Sequence, residues 1–151
     1  MVKLSNFLRQ KDRSHNYNSL QFYKSVEISH KIRLYIKLMK EQITFNDYEK
    51  VDIRIGTVLS VNQNKKARKP SLVIEVDFGK EIGIKKSSAQ ITDFYNKENL
   101  IGKQVIGVCN FPNKNIAGII SEFLVLGAID KDGKVVLVHP SQKVENGLEI
   151  A

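Results

Sequence analysis

Residues 51–61 read VDIRIGTVLSV. Val51, Ile53, Ile55, Thr57, Leu59 and Val61 alternate with Asp52, Arg54 and Ser60. Alternation of this kind marks a strand buried on one face, because successive side chains point to opposite sides of a pleated backbone. Gly56 within the run predicts a bend or bulge where the strand turns a barrel corner. Beyond the basic loop NQNKKARKP (62–70), Leu72, Ile74, Val76 and Phe78 form one face of a second strand. Gly79-Lys80 then turns it into a third, over 81–85. QVIGVCNF (104–111) reads as a fourth strand and EFLVLGAI (122–129) as a fifth. KVVLVHP (134–140) is a later strand entered by the Asp132-Gly133 turn. TDFYNKENL (92–100) reads as a short helical connection, and Asn46 with Glu49 has the spacing of a capping box opening a helical turn before the first strand. So many short strands within residues 43–151 predict an all-β domain, a five-stranded barrel of the OB-fold type with short helical connections.

Residues 1–38 differ in kind. They lack glycine and proline and hold eight basic against two acidic residues, most of the surplus behind the net charge of +8. They are expected to be a basic N-terminal extension, helical or disordered: an arm, a targeting peptide, or a stretch upstream of a true start at Met39. From Met39 onward, sixteen basic residues face fourteen acidic ones. Affinity for nucleic acid must therefore come from a local patch and not from the field of the whole domain. No run approaches the ~20 apolar residues of a membrane span, and no secretory signal opens the chain. With Cys109 as the single cysteine, a disulfide framework is excluded. These features suit a cytoplasmic protein, with Cys109 a buried structural thiol.

Catalytic chemistry is hard to assemble. His15, His30 and His139 lie far apart, and no spacing resembles a zinc site. Ser87 and Ser88 have no histidine on adjacent elements to activate them. No glycine-rich phosphate loop follows a strand. The reading is a binding protein without cofactor or metal, not an enzyme.

The basic residues say more. Lys65, Lys66, Arg68 and Lys69 crowd one loop, Lys85 and Lys86 close the third strand, and Lys114 lies in NFPNKNIAG. Cations lining a groove beside one face of a small barrel replace counterions on single-stranded nucleic acid. The Ser87-Ser88-Ala89-Gln90 run brings hydroxyls and an amide suited to ribose hydroxyls and base edges, as one wall of that groove. Phe111, at a strand end, reads as a core ring before a stacking face. The apolar stretch from Ile116 to Ile129 needs cover on both faces, which a second copy would supply, so a symmetric homodimer is expected. Any remnant left exposed would take unfolded peptide.

DIRIGTV, KARKP, DFGKEIGIKKSSAQIT, LIGKQVIGVCNF and IAGIISEFLVLGA occur in this order and spacing. Together they closely resemble the CsaA family, export-related bacterial chaperones with a tRNA-binding domain similar to the C-terminal domain of methionyl-tRNA synthetase. The resemblance covers residues 43–151. It implies a homodimeric barrel, tRNA binding by structure rather than sequence, and affinity for precursor or unfolded polypeptides. Matched by position, it implies RNA contacts from Lys85, Lys86, Ser87, Ser88 and Gln90, from Asn110 and Lys114, and from Ser121 and Glu122. Glu122, a carboxylate among phosphate-facing groups, is expected to accept hydrogen bonds from a base edge or to orient a neighbouring lysine. Asn115 departs from the pattern, since relatives often carry a second basic residue there. The alternative function is a peptide- or preprotein-binding chaperone with little RNA affinity.

Overall fold

The structure is a computed structural model that describes residues 40–151. The expected extension over 1–38 lies outside the described residues. Residues 44–151 form one compact unit. It opens with a helical turn, α1 (Phe45–Tyr48), capped reciprocally by Thr44 and Asp47: the Asp47 N–H donates to Thr44 Oγ1 at 3.2 Å and the Thr44 N–H to Asp47 Oδ2 at 3.1 Å. The capping box therefore sits two residues before the Asn46–Glu49 pair that the sequence suggested. Threonine has the short hydroxyl that reaches a backbone N–H three residues on, so it takes the position.

Five strands make the main antiparallel sheet, β1 (Ile53–Gln63), β2 (Leu72–Asp77), β3 (Ile84–Ala89), β4 (Gln104–Val108) and β7 (Leu124–Val125), in the order β3-β2-β1-β4-β7. Two hairpins complete the strands: β5 (Lys114–Ile116) with β6 (Ile119–Ser121), and β8 (Gly127–Ile129) with β9 (Val135–Leu137). The Glu122 N–H donates to the Lys86 carbonyl at 2.8 Å, so the segment from β6 to β7 joins the two edges of the sheet and nearly closes the barrel.

β1 explains the closure. It pairs with β4 over Ile53–Thr57 and with β2 from Thr57 to Gln63, changing partner in mid-strand. Gly56 is buried at that change, where a Cβ would lie 2.6 Å from Val76 Cγ1 and 2.8 Å from the Asp77 carbonyl. Only a residue without a side chain admits so close an approach. A bulge follows between Val58 and Ser60, and an extra residue in a strand reverses the alternation beyond it. Val58, ahead of the extra residue, is 1% exposed and Leu59, the extra residue, 45% exposed, so Leu59 does not join the buried face that strict alternation assigned it, while Val61 beyond the bulge, 4% exposed, does.

The third strand also begins later than expected. Gly79–Ile82 is a single helical turn, α2, closed by the Gly83 N–H on the Gly79 carbonyl at 2.7 Å, with both glycines at positive φ. Strand residues start only at Ile84, and the serines lie inside β3 instead of ending a strand. The expected fifth strand is split into β7 and β8, and the β5–β6 hairpin ahead of it was not foreseen. A third helical turn, α3 (Lys97–Leu100), is held by Asn96 and Asn99 capping one another and drops Leu100 into the core.

Ile74, Val76, Phe78 and Leu100 are fully buried, and Phe123 packs edge-on to Phe78 with ring centroids 5.0 Å apart. Each such side chain contributes about 1.5–3 kcal/mol of burial. Cys109 lies in the same core. Residues 144–150 run beside the first half of β1: the Gly147 N–H donates to the Ile55 carbonyl at 2.7 Å, Ile55 to Leu148 at 3.1 Å and Ile150 to Ile53 at 2.9 Å. The Gln104 side chain acts as a further strand partner, donating to the Val144 carbonyl at 2.7 Å and accepting from its N–H at 3.0 Å.

Candidate nucleic-acid interface

β3 carries Lys85, Lys86, Ser87 and Ser88, and its pleat sends neighbours to opposite faces. Lys86 lies in one transverse row with Glu75 of β2 and Ser60 of β1. Its Nζ is 3.1 Å from Glu75 Oε1, while the Ser60 hydroxyl donates to Glu75 Oε2 at 2.7 Å. The Ser60 hydroxyl and then Lys86 hold the Glu75 carboxyl below its usual range. The charge of Lys86 is thus already compensated. Lys85 is half-buried on the other face, in register with the buried Val76, and its field reaches Cys109. Burial pushes the Cys109 thiol up to about 11, with Asp52 adding to the effect and Lys85 opposing it.

Ser87 and Ser88 point to opposite faces, and each hydroxyl meets a buried partner. Ser87 Oγ and Ser121 Oγ lie 2.8 Å apart, the Ser88 N–H donates to Ser121 Oγ at 3.4 Å, and Ser121 Oγ donates to the Phe123 carbonyl at 3.4 Å. Ser88 Oγ accepts from Asn64 Nδ2 at 3.1 Å. All four side chains are buried, and among the described residues no buried side-chain nitrogen or oxygen lacks a partner. The hydroxyls therefore do not line an open groove; they seam β3 to the β5–β6 hairpin. Glu122 does similar work. Its carboxylate accepts the Lys86 N–H at 2.9 Å and its own N–H donates to the Lys86 carbonyl, so it orients that lysine through the main chain.

A cluster of cations open to water lies elsewhere. Lys65, Lys66, Arg68 and Lys69 are exposed on the β1–β2 loop, and none makes an ion pair among the described residues. The Lys66 side chain runs beside Gly118 at the tip of the β5–β6 hairpin, with Nζ 3.8 Å from where a Cβ on that glycine would sit. Lys114, on the same hairpin, is exposed opposite Ser121, and Gln90 is exposed just beyond β3. The fold thus gathers one loop, one hairpin and the end of one strand into a cationic face. Asn110 is apart from it: its Nδ2 donates to the Lys50 carbonyl at 2.6 Å and its Oδ1 accepts from the Asp52 N–H at 3.1 Å. Next to it Phe111 is 50% exposed, so the ring is not part of the core where the sequence placed it.

Two features were missed in the sequence. One is Asn64, buried at the root of the basic loop; the other is the hairpin itself. Ala117-Gly118 between Ile116 and Ile119 was a legible signal, since a two-residue turn with glycine second between β-branched residues is a hairpin pattern. A concavity of about 730 Å³ lies well away, between the α2 turn and residues 143–148, where Lys80 and Lys143 are interleaved with Glu81 and Glu145. With Asp77 also in its lining, acidic residues outnumber basic ones there by three to two, whereas the loop and hairpin present cations alone. Such a surface can hold a polyanion by displacing its counterions.

The family model described as "Putative tRNA binding domain" matches residues 53–149. The chain belongs to the CsaA family of tRNA-binding domain proteins. The domain is 48% identical to the chaperone CsaA of Bacillus anthracis, with a TM-score of 0.70 over 74% of this chain and 100% of that one. The CsaA chaperone of Picrophilus torridus is 51% identical, with a TM-score of 0.68 over 73% and 100% of the two chains. A methionine–tRNA ligase of Parabacteroides distasonis is 38% identical over 114 residues, 76% of this chain. The chain spans only 16% of that enzyme's length. The barrel fold read from the sequence is the fold these relatives share. No helix among the described residues is long and apolar enough to cross a membrane, and no cluster of metal-binding side chains occurs among them.

Proposed function

We propose that this domain is a non-catalytic, homodimeric, cytoplasmic tRNA-binding protein with chaperone character in protein export. The observation that carries the reading is the unpaired cation set Lys65, Lys66, Arg68 and Lys69, beside Lys114, on a barrel of the tRNA-binding family. RNA is held there by its phosphates and its shape, with Gln90 the polar side chain free to meet a sugar or base edge. Lys86 contributes less than its place in the strand suggests, because Glu75 already neutralises it.

A filter-binding titration of bulk tRNA against salt tests the reading. Affinity should fall steeply as salt rises, each phosphate neutralised contributing roughly 0.7–0.9 to the slope of log K on log salt. Lys65→Ala/Lys66→Ala should weaken binding and reduce the slope by about 1–2, while Lys86→Ala should leave it nearly unchanged. Weak binding with no salt slope would remove the tRNA reading and leave a chaperone for unfolded or precursor polypeptides. That second reading is favoured by the exposed apolar side chains Phe111, Ile120 and Leu124 and by its likeness to proteins called chaperones.

A further inference from the structure

Asn64 lies where the basic loop, β3 and the β5–β6 hairpin meet, and each of its polar groups is engaged. Its backbone N–H donates to the Ser71 carbonyl at 2.9 Å and its carbonyl accepts from the Ala67 N–H at 3.1 Å, which draws the two ends of the loop together. Its Oδ1 accepts from the Lys66 N–H at 3.2 Å, fixing the chain between Lys65 and Lys66. Its Nδ2 donates to Ser88 Oγ at 3.1 Å and to the Ile116 carbonyl at 3.2 Å. A carboxamide has two N–H donors, and these two bonds use both. The residue is 8% exposed, so a partner withdrawn from it would leave a polar group stranded without water.

The hairpin it holds is under constraint. Ala117 is the one non-glycine residue at positive φ among those described, at 50°, and with Gly118 it forms the two-residue turn between Ile116 and Ile119. A side chain in that region persists only where its surroundings over-determine the backbone. Asn64 on the Ile116 carbonyl is one tether of the turn, and Asn115 Oδ1 on the Gly118 N–H at 2.9 Å is the other.

We infer that Asn64 is the positioning residue of the cationic face, locking the 64–71 loop to the β5–β6 hairpin so that Lys65, Lys66 and Lys114 are presented as one array. The inference rests on the reading of that face as the phosphate-binding surface. Charges held in place before binding lose less freedom when the ligand arrives, so affinity depends on the lock as well as on the charges.

The experiment pairs tRNA binding with amide hydrogen exchange in Asn64→Ala, at a temperature where the variant is fully folded. Affinity should fall about tenfold while the salt slope stays within about one phosphate of the parent, because every lysine is still present. Protection should be lost together over residues 65–71 and 115–121 and kept in β1 and β2. Unchanged affinity in the folded variant, or a loss of protection confined to the loop, overturns the inference. Should Asn64→Ala fail to fold, Asn64→Asp keeps an acceptor for the Lys66 N–H but has no N–H for the Ile116 carbonyl, so residues 115–121 should lose protection; an unaltered hairpin there overturns the inference equally. If the parent protein shows no salt-dependent tRNA binding, the tRNA reading fails, and the exchange arm still decides whether Asn64 couples loop to hairpin.

Discussion

Gly56 shows how much of the barrel turns on one missing methyl group. An alanine there would press its Cβ onto Val76, the Asp77 carbonyl and the Phe78 ring at 2.6–2.8 Å, two of them in the fully buried core and one backbone. Gly56→Ala should therefore lower unfolding stability by about 3 kcal/mol in a urea titration, the upper range for overpacking. Glu75 offers a milder case. Its carboxyl is held below the usual range by Ser60 and Lys86, so the folded state favours the ionised form. That contribution is complete above the ordinary carboxylate value of 4.5 and fades as pH falls through the lowered one. Thermal melts should find Glu75→Gln slightly less stable than the parent at pH 7, with the difference shrinking as pH falls below 4.5. The difference at pH 7 should be small, because Glu75 and Lys86 are both more than a third exposed to water.

At the level of elements, the β5–β6 hairpin carries a correctable defect. A turn with positive φ at both central residues favours asparagine before glycine, and Ala117 holds that first position at a steric cost. Ala117→Asn should stabilise the domain by up to about 1 kcal/mol, read as a shift in urea midpoint without a change in m. How legible the elements were follows from which forces are local. Alternation in 51–61 and in 72–78 was legible because burial on one face imposes period two, and Gly56 announced the corner. The side-chain directions of Val58 and Leu59 were not, because a bulge is an agreement between two strands and leaves no mark in either alone. The serines misled for a related reason. Their composition signals polarity correctly, but Ser121, the partner of Ser87, comes from an element over thirty residues later, so hydroxyls that seam a barrel read as hydroxyls that meet a ligand. The loop cations were legible since long charged side chains on a turn have nowhere to go but water.

For the whole molecule, one apolar face in need of cover lies on β8 and β9. Ala128 and Val136 lie directly opposite each other with their side chains exposed, and Val138 beyond them is 42% exposed. A second copy seated on this face would bury it, and a two-fold axis there would repeat the cationic face on the same assembly. Sedimentation of the protein should give a dimer at micromolar concentration, and Val136→Glu should shift it to monomer without lowering the melting temperature of the isolated barrel. A monomer in the parent at high concentration would exclude this face as the contact.

The segment at 144–150 has a kinetic consequence. β1 is among the earliest parts of the domain to be synthesised, yet its free edge over Ile53–Ile55 is satisfied by backbone groups some ninety positions later. Pairing across so great a sequence separation raises contact order and slows folding. Until those later residues have left the ribosome, the first strand has an open edge and the barrel is incomplete.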